Sequence, residues 1–342
     1  MRKSQSGQVI NHFTNNVALV EKNFASGDEF ADLISQADGE LLQTKASSGS
    51  WKLLRTDLPD TNLQHVYCAA PMISRGTASK DRLGFLIPSN SRETVYYNGV
   101  AIGKNGFGLY GPGVEHFGFV GSSSEFTLLP VKVDTAMNYL KMVPQLDPSQ
   151  IFRHYNAFSF QDGGNQYFFQ RVSEILNVAR TTPEILESPT AAKAIQDSLF
   201  EILFSAMVSG MPSSMQHQPS YSTRSRVMVM AEEFLSNHMH RDVSLAELCV
   251  ATSSSARTLG YAFQEYVGTS PLRFLKTRRM NRAHRMLRDG SVSSVKEAAL
   301  SCGFWELGRF AKEYRETFGE SPSVTLGKVV TTSLASRSTY HS

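Results

Sequence analysis

The sequence predicts an α+β protein: a small antiparallel β-barrel with helices after it, then an all-α final third in which one long helix joins two pairs of short ones. Three observations predict it. Residues 51–142 are dense in β-branched and aromatic residues with turn signals between them. Residues 166–210 space their apolar side chains for helices. The final third repeats a capped pair of short helices around a basic stretch.

Residues 1–13, MRKSQSGQVINHF, lack the apolar run of a secretory signal, and no stretch nears the ~18 apolar residues of a membrane span. A cytoplasmic chain with no membrane partner is therefore expected. Within 51–142, eight glycines fall between Gly99 and Gly121 and exclude a helix there. Phe117-Gly-Phe119-Val and the run Phe126 to Val131 alternate as strands do. Phe168, Val172, Ile175, Leu176 and Ala179 then fit one helix face, and Ala192, Ile195, Leu199, Ile202, Leu203 and Ala206 fit another. Residues 211–225, with five Ser and two Pro, read as a linker between an N-terminal region, 1–210, and a helical domain, 226–327. Residues 328–342 read as a disordered tail.

Composition narrows the function. The 342 residues are 41% hydrophobic and 19% charged with a net charge of +3, which suits two folded domains and excludes disorder as the main state. Three scattered cysteines, Cys68, Cys249 and Cys302, make no disulfide framework. The charge is uneven. Residues 221–342 hold 17 Lys+Arg against 11 Asp+Glu, whereas residues 1–220 hold 17 against 20. Seven cations crowd into residues 273–288. Such asymmetry points to a polyanion, or else to a solvated helix face.

In the final third, Ser244 with Glu247 three residues on forms a capping box. Ser253, Ser254 and Ser255 open a second helix that turns Leu259 and Phe263 inward and stops at Gly268. The pattern recurs: Ser293 and Ser294 with Glu297 open a short Ala-rich helix, Gly303 breaks it, and a helix carrying Phe310, Tyr314 and Phe318 on one face ends at Gly319. The long helix between them, about 270–289, spans roughly 30 Å, close to the ~34 Å of one DNA turn. Two helix-turn-helix units so joined can enter successive major grooves.

This segment, about residues 225–327, resembles the DNA-binding domain of the AraC/XylS family of bacterial transcription regulators. The resemblance rests on Leu259-Gly-Tyr-Ala-Phe263, Gly268-Thr-Ser270-Pro271, Arg278-Arg279-Met-Asn-Arg-Ala283, Glu297-Ala298-Ala299, Cys302-Gly303-Phe304, and Arg309-Phe310 through Gly319-Glu-Ser321-Pro322. It implies a double-stranded DNA partner, an operator with two half-sites one turn apart, RNA polymerase as a further partner, and activation of transcription. The face opposite Leu259 and Phe263 offers Arg257, Tyr261 and Gln264 as base readers, and the second helix offers Arg309 and Lys312. The family often carries longer polar side chains where this chain has Gly260 and Gly308. Ser254, Ser255, Ser294, Lys276 and Arg279 are candidates for helix caps or phosphate contacts.

Family members usually couple this domain to an N-terminal module for effector binding, dimerisation or both. The glycine-rich barrel resembles the cupin-like version. The resemblance implies a homodimer and a small-molecule effector, with Arg82, Tyr96, Tyr110, His116 and Phe119 as candidate pocket residues among aromatics that also suit a core. No cofactor, metal site or catalytic residue is expected: residues 51–142 hold only His65 and His116, and GxSxG, GxxxxGK[ST] and HExxH are absent. A nonspecific architectural DNA binder, or a barrel enzyme localised by its basic domain, remain the alternatives.

Overall fold

The computed structural model describes residues 19–328, apart from 25–29, 31–37, 91–94, 143–147, 149–155, 162, 210–222, 240 and 242. The expected tail from 329 onward and the expected linker over 211–222 lie outside the described residues. The linker's last three residues are helical, because α5 (Thr223–Asn237) starts inside it.

The β-rich stretch expected over 51–142 is present, and among the described residues twelve strands form two sheets rather than one closed barrel. One sheet has the order β1 (Val20–Phe24), β3 (Trp51–Leu58), β4 (Thr61–Cys68), β11 (Ser124–Lys132), β6 (Arg82–Asn90), β9 (Gly106–Tyr110), β12 (Asn156–Ser159). The other runs β2 (Asp38–Gln43), β5 (Met72–Thr77), β10 (Glu115–Val120), β7 (Val95–Tyr97), β8 (Val100–Ile102). All pairings are antiparallel. This is the double-sheet arrangement of a cupin-like jelly roll.

Strand alternation sorts the side chains into layers. Between the sheets pack Trp51, Leu53, Val66, Met72, Leu86, Val120 and Phe126. The outer face of the first sheet turns Leu83, Phe85, Ile87, Leu129 and Val131 onto α2 (Gly164–Thr181) and α4 (Pro189–Ser209), whose Phe168, Val172, Leu199 and Leu203 complete that core. Two further helices, α1 (Val133–Leu140) and α3 (Glu184–Glu187), border the same side. The outer face of the second sheet turns Leu42, Ile73 and Phe117 onto the C-terminal helices. Each fully buried large side chain contributes roughly 1.5–3 kcal/mol.

The C-terminal region consists of α5, α6 (Leu245–Ala251), α7 (Ala256–Val267), α8 (Pro271–Arg288), α9 (Val295–Ser301) and α10 (Leu307–Phe318), with a last helix α11 over 322–328. Helix α8, the long basic helix, has 18 residues and spans roughly 27 Å. Among the described residues no helix is long and apolar enough to cross a membrane.

Candidate nucleic-acid interface

Two helix-turn-helix units stand on the ends of α8. In the first, Ser244 accepts from the Glu247 backbone N–H at 3.2 Å while Glu247 accepts from the Ser244 N–H at 2.8 Å, closing the capping box. Helix α7 starts at Ser255, whose Oγ accepts from the Thr258 N–H at 3.1 Å, and stops at Gly268 with φ +67°, a left-handed turn that glycine allows. Leu259, Ala262, Phe263, Tyr266 and Val267 are buried. Their packing leaves Arg257, Tyr261 and Gln264 exposed on one face, where the sequence put them. Arg257 is oriented there: its Nε donates to the Tyr261 hydroxyl at 3.2 Å and its guanidinium lies 5.5 Å from the ring centre. Gly260 adds room, since a Cβ built on it would meet nothing within 4 Å.

The second unit repeats the construction. Ser294 caps α9 by accepting from the Glu297 N–H at 3.1 Å, and Glu297 accepts from the Ser293 N–H at 2.9 Å. Phe310 and Tyr314 of α10 are buried, and the Tyr314 ring sits 5.5 Å from His284 of α8. Arg309 and Lys312 face outward. Arg309 is not idle: its Nε donates to Glu313 at 3.1 Å, and Glu313 also accepts from Lys276 Nζ at 2.6 Å. Burial would raise the Glu313 carboxyl, but Lys276 and Arg309 hold it below its ordinary value.

The expected phosphate contacts divide. Ser255 and Ser294 are helix N-caps. Ser254 is not; its hydroxyl bonds Thr252 Oγ1 at 2.7 Å. Arg279, expected at a phosphate, is only 6% exposed and packs beneath Gly303. Its neighbour Arg278 is buried as well. Its Nη1 donates to Glu232 of α5 at 2.9 Å, and its Nε lies 3.7 Å from Glu40 of β2. Of the seven cations from 273 to 288, only Arg273 and Arg282 are exposed.

The candidate effector residues also divide. Arg82, Tyr110 and His116 line one cavity of about 140 Å³ between the sheets. Gly84 makes room for Tyr110, whose ring occupies the space of any Cβ there. Tyr96 and Phe119 lie elsewhere, on the outer side of the second sheet in a groove with Tyr261 and Gln264. His116 stacks on Tyr97 at 5.5 Å, and no described residue bonds its buried Nδ1. Burial, with Arg75 nearby, pushes its pKa down to about 4, so the ring is neutral at pH 7.

Sequence reasoning missed Glu40 and Arg75, which line this cavity and also tie the second sheet to the helical region. Arg75 Nε donates to Glu40 at 2.9 Å, and Arg75 pairs with Glu232. Arg285 of α8 donates to the other Glu40 oxygen at 2.7 Å. Burial opposes ionisation of Glu40, but Arg285 and Arg75 outweigh it and hold the carboxyl low. Along the same strand, Gln43 and Asn281 of α8 exchange two hydrogen bonds, of 3.0 and 2.9 Å. Gln43 Nε2 also donates to the Thr317 carbonyl at 2.8 Å, at the end of α10. No pattern signal joins residues 238 positions apart. Among the described residues no group of three or more His, Cys, Asp and Glu is arranged to hold a metal.

Comparison with known proteins agrees with this geometry. A family model described as a helix-turn-helix domain matches residues 248–328. The XylDLEGF operon transcriptional activator of Pseudomonas putida is 28% identical over 159 residues, 46% of this chain and 49% of that protein. The probable thc operon regulatory protein of Rhodococcus erythropolis is 38% identical over 105 residues, 30% of this chain and 32% of that one. A crystal structure of a probable AraC family transcriptional regulator from Rhodopseudomonas palustris CGA009 is 41% identical, covering 30% of this chain and 95% of that chain with a TM-score of 0.28. The matches to the P. putida activator span about half its length.

Proposed function

Because the chain belongs to the AraC/XylS family, whose DNA-binding domain it carries in its C-terminal third, we propose that it is a sequence-specific transcription regulator, an activator working in the cytoplasm as a homodimer with RNA polymerase. The carrying observation is the pair of helices α7 and α10, held on one rod of about 27 Å with Arg257, Arg309 and Lys312 outward. That separation suits successive major grooves on one face of a duplex. Arg257 and Arg309 address guanine edges, and Lys312 a base or phosphate. The reading assigns the chain no reaction.

The N-terminal region tunes this binding. Its cavity pairs apolar walls with a neutral buried His116, and two of its charged residues, Glu40 and Arg75, also hold the helical region. A small-molecule effector seated there acts on the contact that positions α8.

Selection from random duplex DNA with the full chain tests the reading. Enrichment of two unlike half-sites about one turn apart is expected. Binding without enrichment, falling steeply as salt rises, would instead favour the nonspecific architectural reading. For the effector, a thermal shift with at least one member of a broad metabolite panel is expected, and its loss in His116→Phe would place the ligand in the cavity.

A further inference from the structure

The second reading helix begins with an apolar pair left in water. Trp305 is 67% exposed and Leu307 39%, although the core behind them is already filled by Phe310 and Tyr314, with Phe304 packed on Phe310 at 5.0 Å. The fold gains little from large apolar groups here, because burial is the source of their stabilisation. Between them stands Glu306, the N-cap of α10, exposed and making no side-chain cap bond. After them comes Gly308, where an added Cβ would meet nothing within 4 Å.

This stretch departs from what a phosphate-binding helix start requires. A helix N-terminus attracts an anion, but Glu306 puts a carboxylate at that end and repels a DNA phosphate. Arg309 and Lys312 follow on the outward side of the same helix and draw it to the duplex. The start of α10 must therefore lie over base edges and not over the backbone. Gly308 allows the close approach. In the major groove, the base feature that suits an apolar side chain is the thymine C5-methyl group. The groove beside Trp305, about 290 Å³, is bordered by the cations Lys276 and Arg309 and the carboxylates Glu306 and Glu313, together with Leu272 and Phe304.

We infer that Trp305 and Leu307 are specificity-determining residues of the second unit, selecting thymines by their methyl groups beside the guanine read by Arg309. This rests on the proposed DNA-binding function and adds what that function leaves open, the base class preferred by a helix nearly bare of polar readers.

The test uses the full chain and the site it selects from random duplex. The half-site belonging to α10 is the one whose preference Arg309→Ala relaxes. Each thymine in it is replaced in turn by uracil, which removes the methyl and keeps the hydrogen-bonding edge. Affinity is expected to fall about three- to tenfold at one or two positions, and Trp305→Ala or Leu307→Ala is expected to become indifferent to the same replacement. Wild-type binding indifferent to uracil at every position of this half-site would overturn the inference and leave the DNA-binding reading standing. The same holds for a loss caused by Trp305→Ala on thymine and uracil sites alike, the result expected if Trp305 served a protein partner. Failure to enrich any sequence would overturn both. The uracil series on the wild-type chain needs no variant to fold.

Discussion

In the first helix-turn-helix unit the buried face of α7 runs on into the β-sandwich: Phe263, Tyr266 and Val267 share one core with Leu42, Ile73 and Phe117 of the second sheet. In the second unit the buried face of α10 closes on its own cluster, in which Phe310 and Tyr314 meet Met280, Ala283 and Leu287 of α8. There the sheet side meets the end of the helix, through Gln43 and the Ala46 backbone N–H, which donates to the Glu316 carbonyl at 2.9 Å. The outward faces differ as well. Tyr261 and Gln264 border sheet residues Tyr96 and Phe119, whereas Arg309 and Lys312 of the second unit lie away from that groove. Two units with one architecture therefore have different couplings: the sheet side meets the first through apolar packing on its reading helix, and the second through polar contacts to α8 and to the end of α10.

The largest expected effect separates these couplings. Phe263→Ala and Phe310→Ala should each cost about 3–5 kcal/mol in urea unfolding, since both rings are fully buried. The distribution should differ. Hydrogen exchange is expected to quicken in β5 and β10 for Phe263→Ala and to stay unchanged there for Phe310→Ala. Equal loosening of the strands in both variants would remove the distinction.

Next in size is the ionic joint. Glu40→Gln leaves Arg75, Arg278 and Arg285 facing one another with Glu232 as the remaining counter-charge among the described residues, and should cost about 1.5–3 kcal/mol. Exchange should quicken in β2 and α8 before it does in α9. An Arg285→Gln variant, which removes one cation from the same cluster, should cost less. Stability equal to wild type for Glu40→Gln would show that the apolar contacts alone hold the two regions.

At the DNA surface the first unit is expected to carry more of the base discrimination. Arg257 is held ready by Tyr261, whereas Arg309 must give up Glu313 before it reaches a base. Arg257→Ala should cost about 1–3 kcal/mol at the selected site, and Arg309→Ala less. Glu313→Gln should strengthen binding by freeing Arg309. Titration of each variant against the same labelled duplex checks all three, and a larger loss for Arg309→Ala would reverse the order.

How much of this was legible follows the range of the interaction. Ser244 with Glu247, Ser294 with Glu297, and the stops at Gly268 and Gly319 are contacts within four residues, or conformations of one residue, and the sequence displays them. The outward set Arg257, Tyr261, Gln264, Arg309 and Lys312 follows from the same helical period. The burial of Arg278 and Arg279 was not legible, because a run of cations on a helix reads as a face open to phosphate. Here α8 is enclosed on several sides, and the carboxylates that receive Arg278, Glu40 and Glu232, come from distant elements. Strands β1, β2 and β12 lie outside the region whose composition marked it as β, and pairing partners complete them. The two-sheet form and the placing of Tyr96 and Phe119 depend on which strand face meets the helical region, which no local pattern records.

The smallest expected difference lies in the caps. Ser244→Ala and Ser294→Ala each remove an acceptor for a free helix N–H and should cost about 1 kcal/mol at pH 7. In the first unit the Ser244 backbone N–H, the Arg241 guanidinium and the Ser244 hydroxyl push the Glu247 carboxyl down to about 2, whereas in the second Glu297 is lowered by the Ser293 N–H and hydroxyl with no guanidinium beside it. A carboxyl whose folded pKa lies below its unfolded value stabilises fully above the unfolded value, ordinarily 4.5, and loses that contribution as pH falls through the folded one. The first unit's cap should therefore hold to lower pH than the second's. The cost of Ser244→Ala should shrink between about pH 4.5 and 2 as Glu247 takes up its proton, whereas the cost of Ser294→Ala should change little over that range, because the Glu297 carboxylate takes its bonds from Ser293 and not from the Ser294 hydroxyl. Melting temperatures of the two variants and wild type across that range measure it; parallel curves would mean that the Ser244 hydroxyl adds nothing to the ionised Glu247.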